Sequence, residues 1–446
     1  MDPGSFSPAA QDVFPTPSRG LSIQGVSMRI AVVGAGVSGL VAAHFLSKEH
    51  EVFVFEKESW AGGHACTVTA HDEAGQEVHV DIGFLVYNER TYPVFTKILR
   101  AIEAPTRPSE MSLSVRCLRC QLQYASHNLT TVLGLPHRFP SWQHTQMLLE
   151  ILRFHRLANA YRNRAQAGET LGDFFHTHRF SDVLSRHYVG PMTAAIWSAP
   201  PGAVRHFPLA LFLEFMHNHG LLRVYGQPRW RTINGGSREY VRRLIRPFAE
   251  RLYLNAPVRQ VVRRPWGVEL HVNGSIVRAD KVVLALHADQ ALRILADTSP
   301  QERRALESIK YQANEIVLHT DTRMLPHNRA LWASWNYHTP DCHDESKPLA
   351  ITYNLNRLQR LRTNTTFCVT LNCADRIDPQ RIIGRWTFDH PQYTPRVPHA
   401  QNELRALRGE RHTYFCGAYL GYGFHEDGAR SGFEVAHLVT RERAAA

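Results

Sequence analysis

The tightest constraint on this chain is a short apolar run at 28–33 that breaks into Gly34, Gly36 and Gly39 and resumes as an Ala- and Leu-bearing stretch over 40–47. A second apolar run, 51–55, follows and ends on Glu56. Short apolar runs of this kind read as strands buried on both faces, and the spacing predicts a parallel β-α-β unit, whose crossover must be right-handed. In the G-x-G-x-x-G arrangement the first glycine makes the tight turn, the second lets the backbone approach a pyrophosphate, and the third lets helix and strand pack closely. The pyrophosphate then sits on the helix N-terminus, over the backbone of Val37 and Ser38. Glu56 stands where a carboxylate accepts hydrogen bonds from both ribose hydroxyls and repels a 2′-phosphate, which disfavours NADP.

That unit is embedded in a chain of 446 residues, 43% hydrophobic and 20% charged, enough for two lobes and a large core. No apolar run approaches the roughly 18 residues that a membrane-spanning helix needs. Residues 1–27, rich in Pro, Ser and Gly with Arg19 as their one basic residue, read as a disordered leader and lack the features of a secretory signal. With seven scattered cysteines and no export signal, a reducing, cytoplasmic setting is expected. Cys117 and Cys120 form one C-x-x-C, but no second Cys or His pair follows at ligand spacing; the pair reads as part of a hairpin, and no metal is expected.

The formal net charge of +11 favours an anionic partner, yet the basic residues are spread along the chain and no nucleic-acid-binding module is recognisable. The densest basic segment, 138–164, carries five arginines and one acid, Glu150, among Trp142, Leu149, Leu152 and other apolar residues. It reads either as an amphipathic helix on an anionic membrane or as a core-packed helix with a solvated basic face.

Helical patterns at 143–165, 170–177, 180–188 and 208–218 are expected to form an insertion, followed by strands at 258–262, 268–272 and 281–286. A final strand and glycine turn at 413–417 precede a helix over about 428–439. The expected organisation is a leader (1–27), a first nucleotide segment (28–110), a largely helical substrate-lobe insertion (111–229), a second nucleotide segment (230–300), a further substrate-lobe segment (301–400) and a C-terminal nucleotide segment (401–446).

Three further motifs follow in order: Ala61-Gly62-Gly63-His64 with Val80-Asp81-Ile82-Gly83-Phe84; Ile233-Asn234-Gly235-Gly236-Ser237; and Phe415-Cys416-Gly417-Ala418 with residues 422–428 and Ser431-Gly432. Together with the glycine turn, the chain resembles the flavin amine oxidase and phytoene desaturase superfamily over most of 28–440. The resemblance implies an α/β FAD-binding Rossmann-like fold, of the two-dinucleotide-binding type, with an inserted mixed α+β substrate lobe. It implies FAD as cofactor, held at Gly34, Gly36, Val37, Ser38, Gly39, Glu56, Gly62, Gly63, His64, Gly83, Val258, Gly417 and Gly428. His64 stands where the superfamily has Arg.

Within the superfamily, 62–64, 88–93, 332–337 and 421–428 resemble a bacterial subgroup of NAD/FAD-binding proteins associated with cyclopropane-fatty-acid-synthase-like methyltransferases. A relative there desaturates methylated fatty acyl chains in furan fatty acid formation. This implies a lipid or fatty acyl substrate, contact with an anionic membrane surface on the inner face, and a methyltransferase of the same pathway, with no nucleic acid. By the same resemblance Tyr419 and Tyr422 lie near the flavin, and Trp332, Trp335 and Tyr353 line the substrate pocket. His425 and Glu426, with Tyr422, are the acid/base candidates, or else position the flavin. The superfamily's lysine near flavin N5 aligns with Glu315 in 314–319, which weakens amine oxidation. Double-bond isomerisation without net redox change, and amine oxidation, are the alternatives to desaturation. A single glycine-rich motif leaves no second site for NAD(P)H, so the electron acceptor is open.

Overall fold

The computed structural model describes residues 27–134, 141–166, 168–197, 201–223, 226–344 and 350–445. Of the expected leader only its last residue falls within them, and of the basic segment residues 138–140 fall outside.

The β-α-β unit forms as its pattern dictates: strand Arg29–Val33, helix Val37–Leu46 and strand Glu51–Phe55. These enter a five-stranded, wholly parallel sheet in the order Leu252–Tyr253, Glu51–Phe55, Arg29–Val33, Lys281–Leu284, Thr413–Phe415. Three distant stretches of chain therefore meet in one sheet. Strand alternation sorts its residues between two cores. Ile30, Val32, Val52, Val54 and Val283 pack with the Val37–Leu46 helix and the C-terminal helix, whereas Ala31, Val33, Phe53, Phe55 and Leu284 face the meander and the helical region. That meander is antiparallel: Val258–Arg264, Gly267–Val272 and Ser275–Ala279.

A second, seven-stranded sheet runs in the order Ile382–Gln392, Lys310–His319, Cys368–Leu371, Ala350–Asn354, Trp335–Thr339, Leu113–Cys117, Gln123–Ala125. Among the described residues its one parallel pair joins Trp335–Thr339 to Leu113–Cys117. The stretch expected as a helical insertion thus begins with two strands of a sheet completed some 200 residues later, a pairing that no local pattern encodes.

The helices Trp142–Tyr161, Leu171–Thr177, Gly190–Trp197 and Leu209–Asn218 form, and the pattern over 180–188 resolves into a short turn, Asp182–Leu184, and a π-helical stretch, Ser185–Val189. In Trp142–Tyr161, Met147, Phe154 and Ala158 are buried at helical spacing while Trp142, Leu149 and Leu152 stand exposed. The final helix, His425–Ala445, starts three residues earlier than expected. Among the described residues, no helix is long and apolar enough to cross a membrane.

Candidate functional site

The glycine turn is built for close approach. Gly34 has φ +101°, and a Cβ there would strike the Ala285 carbonyl; at Gly39 it would strike the carbonyl of Gly34. Gly36 differs: a Cβ there would meet nothing within 4 Å, so the space above it is open. Gly36 is also the N-cap of the Val37–Leu46 helix and offers no side-chain cap. The amides of the first turn, Val37, Ser38 and Gly39, have no acceptor within the helix and face an uncapped, positive helix end. An open space beneath uncapped amides is a fit for a pyrophosphate.

Glu56 closes the other side. Its Oε2 accepts from the Ala35 N–H at 2.8 Å and its Oε1 from the Glu58 N–H at 3.0 Å, and burial raises its pKa. Backbone bonds from Asn255 N to Glu58 O at 3.0 Å and from Ala256 N to Glu56 O at 2.8 Å bring the start of the meander beside this carboxylate. Val258, expected to offer a backbone group to adenine, begins the meander's first strand just beyond.

The Gly62-Gly63-His64 loop lies on the glycine turn: Gly62 N donates to Ala35 O at 2.7 Å, and a Cβ on Gly63 would approach Gly36 Cα to 3.2 Å. Gly83 supports this loop from behind, because a Cβ there would strike the His64 carbonyl, which accepts from Phe84 N at 2.8 Å. Asp81 explains the second motif. It accepts from Thr67 Oγ1 at 2.6 Å, from Ser237 N at 2.8 Å, from Ser237 Oγ at 2.8 Å and from Gln359 Nε2 at 3.0 Å. Gly236 packs against Thr67 and Asp81, so this glycine clasps three segments together rather than forming a cradle.

At the C-terminal motif, the final helix leans on the first because Gly428 and Gly432 lack side chains; added Cβ atoms would strike Val37 and the Ser38 carbonyl. Gly417 N donates to Ser431 Oγ at 2.9 Å, fixing the turn before this helix.

Four half-buried histidines from four distant segments gather by the His64 loop. His64 lies 4.7 Å from Phe388, 5.5 Å from His390 and 6.2 Å from His287, ring centre to ring centre. His425 stacks on Phe84 at 3.8 Å, and its Nε2 is 2.5 Å from the buried Tyr240 hydroxyl. Desolvation holds all four below the ordinary value, His64 and His287 down to about 4 and His390 and His425 to about 3. They are neutral at physiological pH. His64 Nε2, His287 Nδ1 and Tyr419 Oη are buried with no hydrogen-bond partner, and such atoms await a ligand or water. The sequence singled out only His64 and His425; nothing local marks His287, His390, Tyr240 or Phe388 as their neighbours.

The acid/base candidates separate. Both Glu426 oxygens are engaged, accepting from Val94 N at 3.1 Å and Phe95 N at 2.9 Å at the start of helix Pro93–Ala101, with Arg430 at 2.9 Å. Glu426 is thus a helix cap, and the expectation of an acid/base role there is corrected. Tyr422 lines a cleft of about 220 Å³ with Arg90, Tyr92, Phe215, His219 and Phe424. Asp427, also in its wall, accepts from Tyr422 N and Phe424 N, both at 3.0 Å. The Arg90 guanidinium has no ion pair among the described residues.

The expected substrate-pocket residues do not share one wall. Trp335 and Tyr353 meet edge to face at 5.5 Å in the core beneath the seven-stranded sheet, whereas Tyr419 belongs to the core beside the parallel sheet. Trp332 turns aside, donating from Nε1 to Pro326 O at 2.7 Å beneath the Arg329 guanidinium. Glu315, aligned with a lysine, points to the outer face and pairs with Arg385 at 3.1 Å. Its inward neighbour Asn314 is the residue facing the histidines, with Nδ2 3.2 Å from His390 Nδ1. Neither position is a lysine: the strand holds only the exposed Lys310 at its start.

The model of the family described as flavin containing amine oxidoreductase matches residues 37–358. Among solved structures, a CLA-producing fatty acid isomerase from P. acnes is 15% identical with a TM-score of 0.66, covering 93% of this chain and 98% of that one. Cyclohexylamine oxidase from Brevibacterium oxydans IH-35A is 14% identical with a TM-score of 0.67, covering 94% and 99%. A reduced UDP-galactopyranose mutase is 15% identical with a TM-score of 0.65, covering 93% and 96%. An uncharacterised protein of Methanocaldococcus jannaschii is 61% identical over 36 residues, 8% of this chain and 9% of that relative's length.

Proposed function

The chain belongs to the flavin-containing amine oxidoreductase family and is an FAD-dependent oxidoreductase, and from that premise we propose that it dehydrogenates a lipid-borne fatty acyl chain, leaving a double bond. The carrying observation is the neutral wall of His64, His287, His390 and His425, with Phe84, Phe388 and Tyr240, and with the exposed Lys310 at its far start as the one lysine of the adjoining strand. An ammonium substrate needs a free anion or its equivalent; here Glu426 spends both its oxygens, and Asp427 its Oδ2, on backbone N–H groups. A hydrocarbon chain needs neither.

Bound FAD would supply a two-electron acceptor for hydride from a C–H bond, and the proton lost from the adjacent carbon would pass to one of the neutral imidazoles beside the His64 loop. The chain's own residues hold, orient and shield. The glycine turn, Glu56 and the Gly62-Gly63 loop would hold the cofactor, and the aromatic walls of the cleft at Tyr92, Phe215, Tyr422 and Phe424 suit an acyl chain, with Arg90 placed to meet an anionic head. The Tyr240 hydroxyl engages the Nε2 of the neutral His425 ring, so this nitrogen orients the ring. Electrons leave to oxygen, a quinone or a protein carrier.

Association with an anionic membrane surface is part of the proposal. Trp142, Leu149 and Leu152 share the outward face of the Trp142–Tyr161 helix with the exposed Arg156. A methyltransferase of the same pathway as partner rests on the subgroup resemblance alone.

A redox-neutral movement of a double bond is the second reading, favoured by the likeness in fold to the fatty acid isomerase. The test is the visible absorbance of the anaerobic holoprotein with phospholipids bearing unsaturated or methyl-branched acyl chains, followed by product mass. Loss of the oxidised flavin band with lipid but not with amines, and a product two hydrogens lighter, is the expected result. An unchanged mass with a shifted double bond transfers the assignment to isomerisation. Bleaching by amines alone overturns both.

A further inference from the structure

The C-x-x-C pair does not stand alone. Cys117 ends the strand Leu113–Cys117, and Cys120 lies in the turn before Gln123–Ala125, where Gln121 takes φ +52° to close the hairpin. The parallel neighbour Trp335–Thr339 ends with Thr339 opposite Cys117, so the chain leaving it delivers Cys342 to the same spot. Leu118 N to Thr339 O and Arg119 N to Pro340 O, both 3.0 Å, lock the two loops together. From a third direction comes His187, in the π-helical stretch Ser185–Val189, with its carbonyl accepting from Tyr124 OH at 2.9 Å.

One ligand atom from each of Cys117, Cys120, His187 and Cys342 lies within 4.8 Å of all the others. Tetrahedral zinc with Zn–S bonds of about 2.3 Å sets its sulfurs about 3.8 Å apart. The Cys120 and Cys342 sulfurs are 3.4 Å apart, too far for a bond and near that spacing. All seven cysteines are free thiols. His187 is 3% exposed, and its Nδ1 has no hydrogen-bond partner. A disulfide between any two of the cysteines would leave the third thiol and this imidazole unspent in the interior.

We propose that Cys117, Cys120, Cys342 and His187 bind one structural zinc ion that pins the helical region to the edge of the seven-stranded sheet. Three thiolates and one neutral imidazole are a closed set for a borderline-soft, tetrahedral cation, with no position left for water; binding releases the three thiol protons. The ion joins three stretches that otherwise meet through backbone bonds, the Tyr124 hydroxyl, the Arg119–Asp341 ion pair and packing. Its loss should loosen the helix Gly190–Trp197, whose Trp197 Nε1 reaches the Tyr422 carbonyl at 3.4 Å beside the cleft.

The test is metal analysis of the full chain, purified under reducing conditions with its flavin bound. One zinc per chain is expected. Exchange with Co²⁺ should give the visible bands of a tetrahedral thiolate site, and Cys342→Ser and His187→Ala should each lose most of the metal. Because these substitutions remove structural ligands, the unaltered protein carries an independent readout: a thiol-specific mercurial should release zinc in step with modification of three cysteines. A reduced protein without stoichiometric zinc that also gives no thiolate bands with Co²⁺ overturns the proposal, as does a Cys120–Cys342 disulfide found by mass spectrometry in the freshly isolated protein.

Discussion

Acidification should weaken this protein more than its carboxylates alone would allow. A histidine held below its ordinary value takes up a proton more readily unfolded than folded. The stability it contributes is complete above the unfolded value of 6.5 and is lost as pH falls towards the folded value. For folded values of about 4 and about 3, going from pH 7 to pH 5 costs about 2 kcal/mol for each of His64, His287, His390 and His425, about 7–8 in all. Asp81 and Asp427, pushed up to about 6 by burial, act in the opposite sense: their stabilisation is present at low pH and lost as pH rises through about 6. Together they return about 3 kcal/mol over the same interval. These six groups together lose about 5 kcal/mol, less where solvent screens the rings, and His155, His187, His219, His319 and His338, which burial also lowers to about 4, add to the loss in the same sense. Urea unfolding followed by tryptophan fluorescence between about pH 7.5 and pH 5, with flavin release recorded in parallel, measures this directly. Stability that stays level or rises on acidification would refute the neutral-histidine wall, and with it the argument for an uncharged substrate.

Three further outcomes follow from particular atoms. Gly36→Ala should melt within about 1 kcal/mol of the parent, because its methyl meets no protein atom, yet bind FAD at least about tenfold more weakly by titration calorimetry; Gly39→Ala should instead lose about 1–3 kcal/mol through collision with the Gly34 carbonyl. Glu426→Gln should cost about 1–3 kcal/mol in thermal unfolding while leaving kcat nearly unchanged, since the carboxylate caps a helix; a large fall in kcat at unaltered stability would restore it to the chemistry. Replacing Trp142 and Leu149 together by Ser should leave stability unchanged and lower partitioning onto phosphatidylglycerol vesicles by at least about tenfold, read by co-sedimentation; equal partitioning would remove that face from any membrane role.

What the sequence determined by itself was local and periodic. Gly34, Gly36, Gly39 and Glu56 announce a dinucleotide turn because each answers a backbone requirement met within a few residues. The unbroken apolar runs within 29–33 and 51–55 call for a sheet covered on both faces. Glycine spacing also marked the helix that closes on that turn, since only residues without side chains let Gly428 and Gly432 approach Val37 and Ser38. The substrate side was less legible. Glu315 and Asn314 differ by one position, and in a strand one position reverses the face, so an alignment by pattern could not tell the outward ion pair from the inward amide. Only the tertiary structure could turn Glu426 into a cap for a helix 331 residues away, or gather His64, His287, His390 and His425 beside one loop. It also brought His187 and Cys342 to a C-x-x-C that looked solitary along the chain. The physical reason is the same in each case: side chains meet through strand order and helix packing, and those are set by burial of the whole chain rather than by any neighbour in sequence.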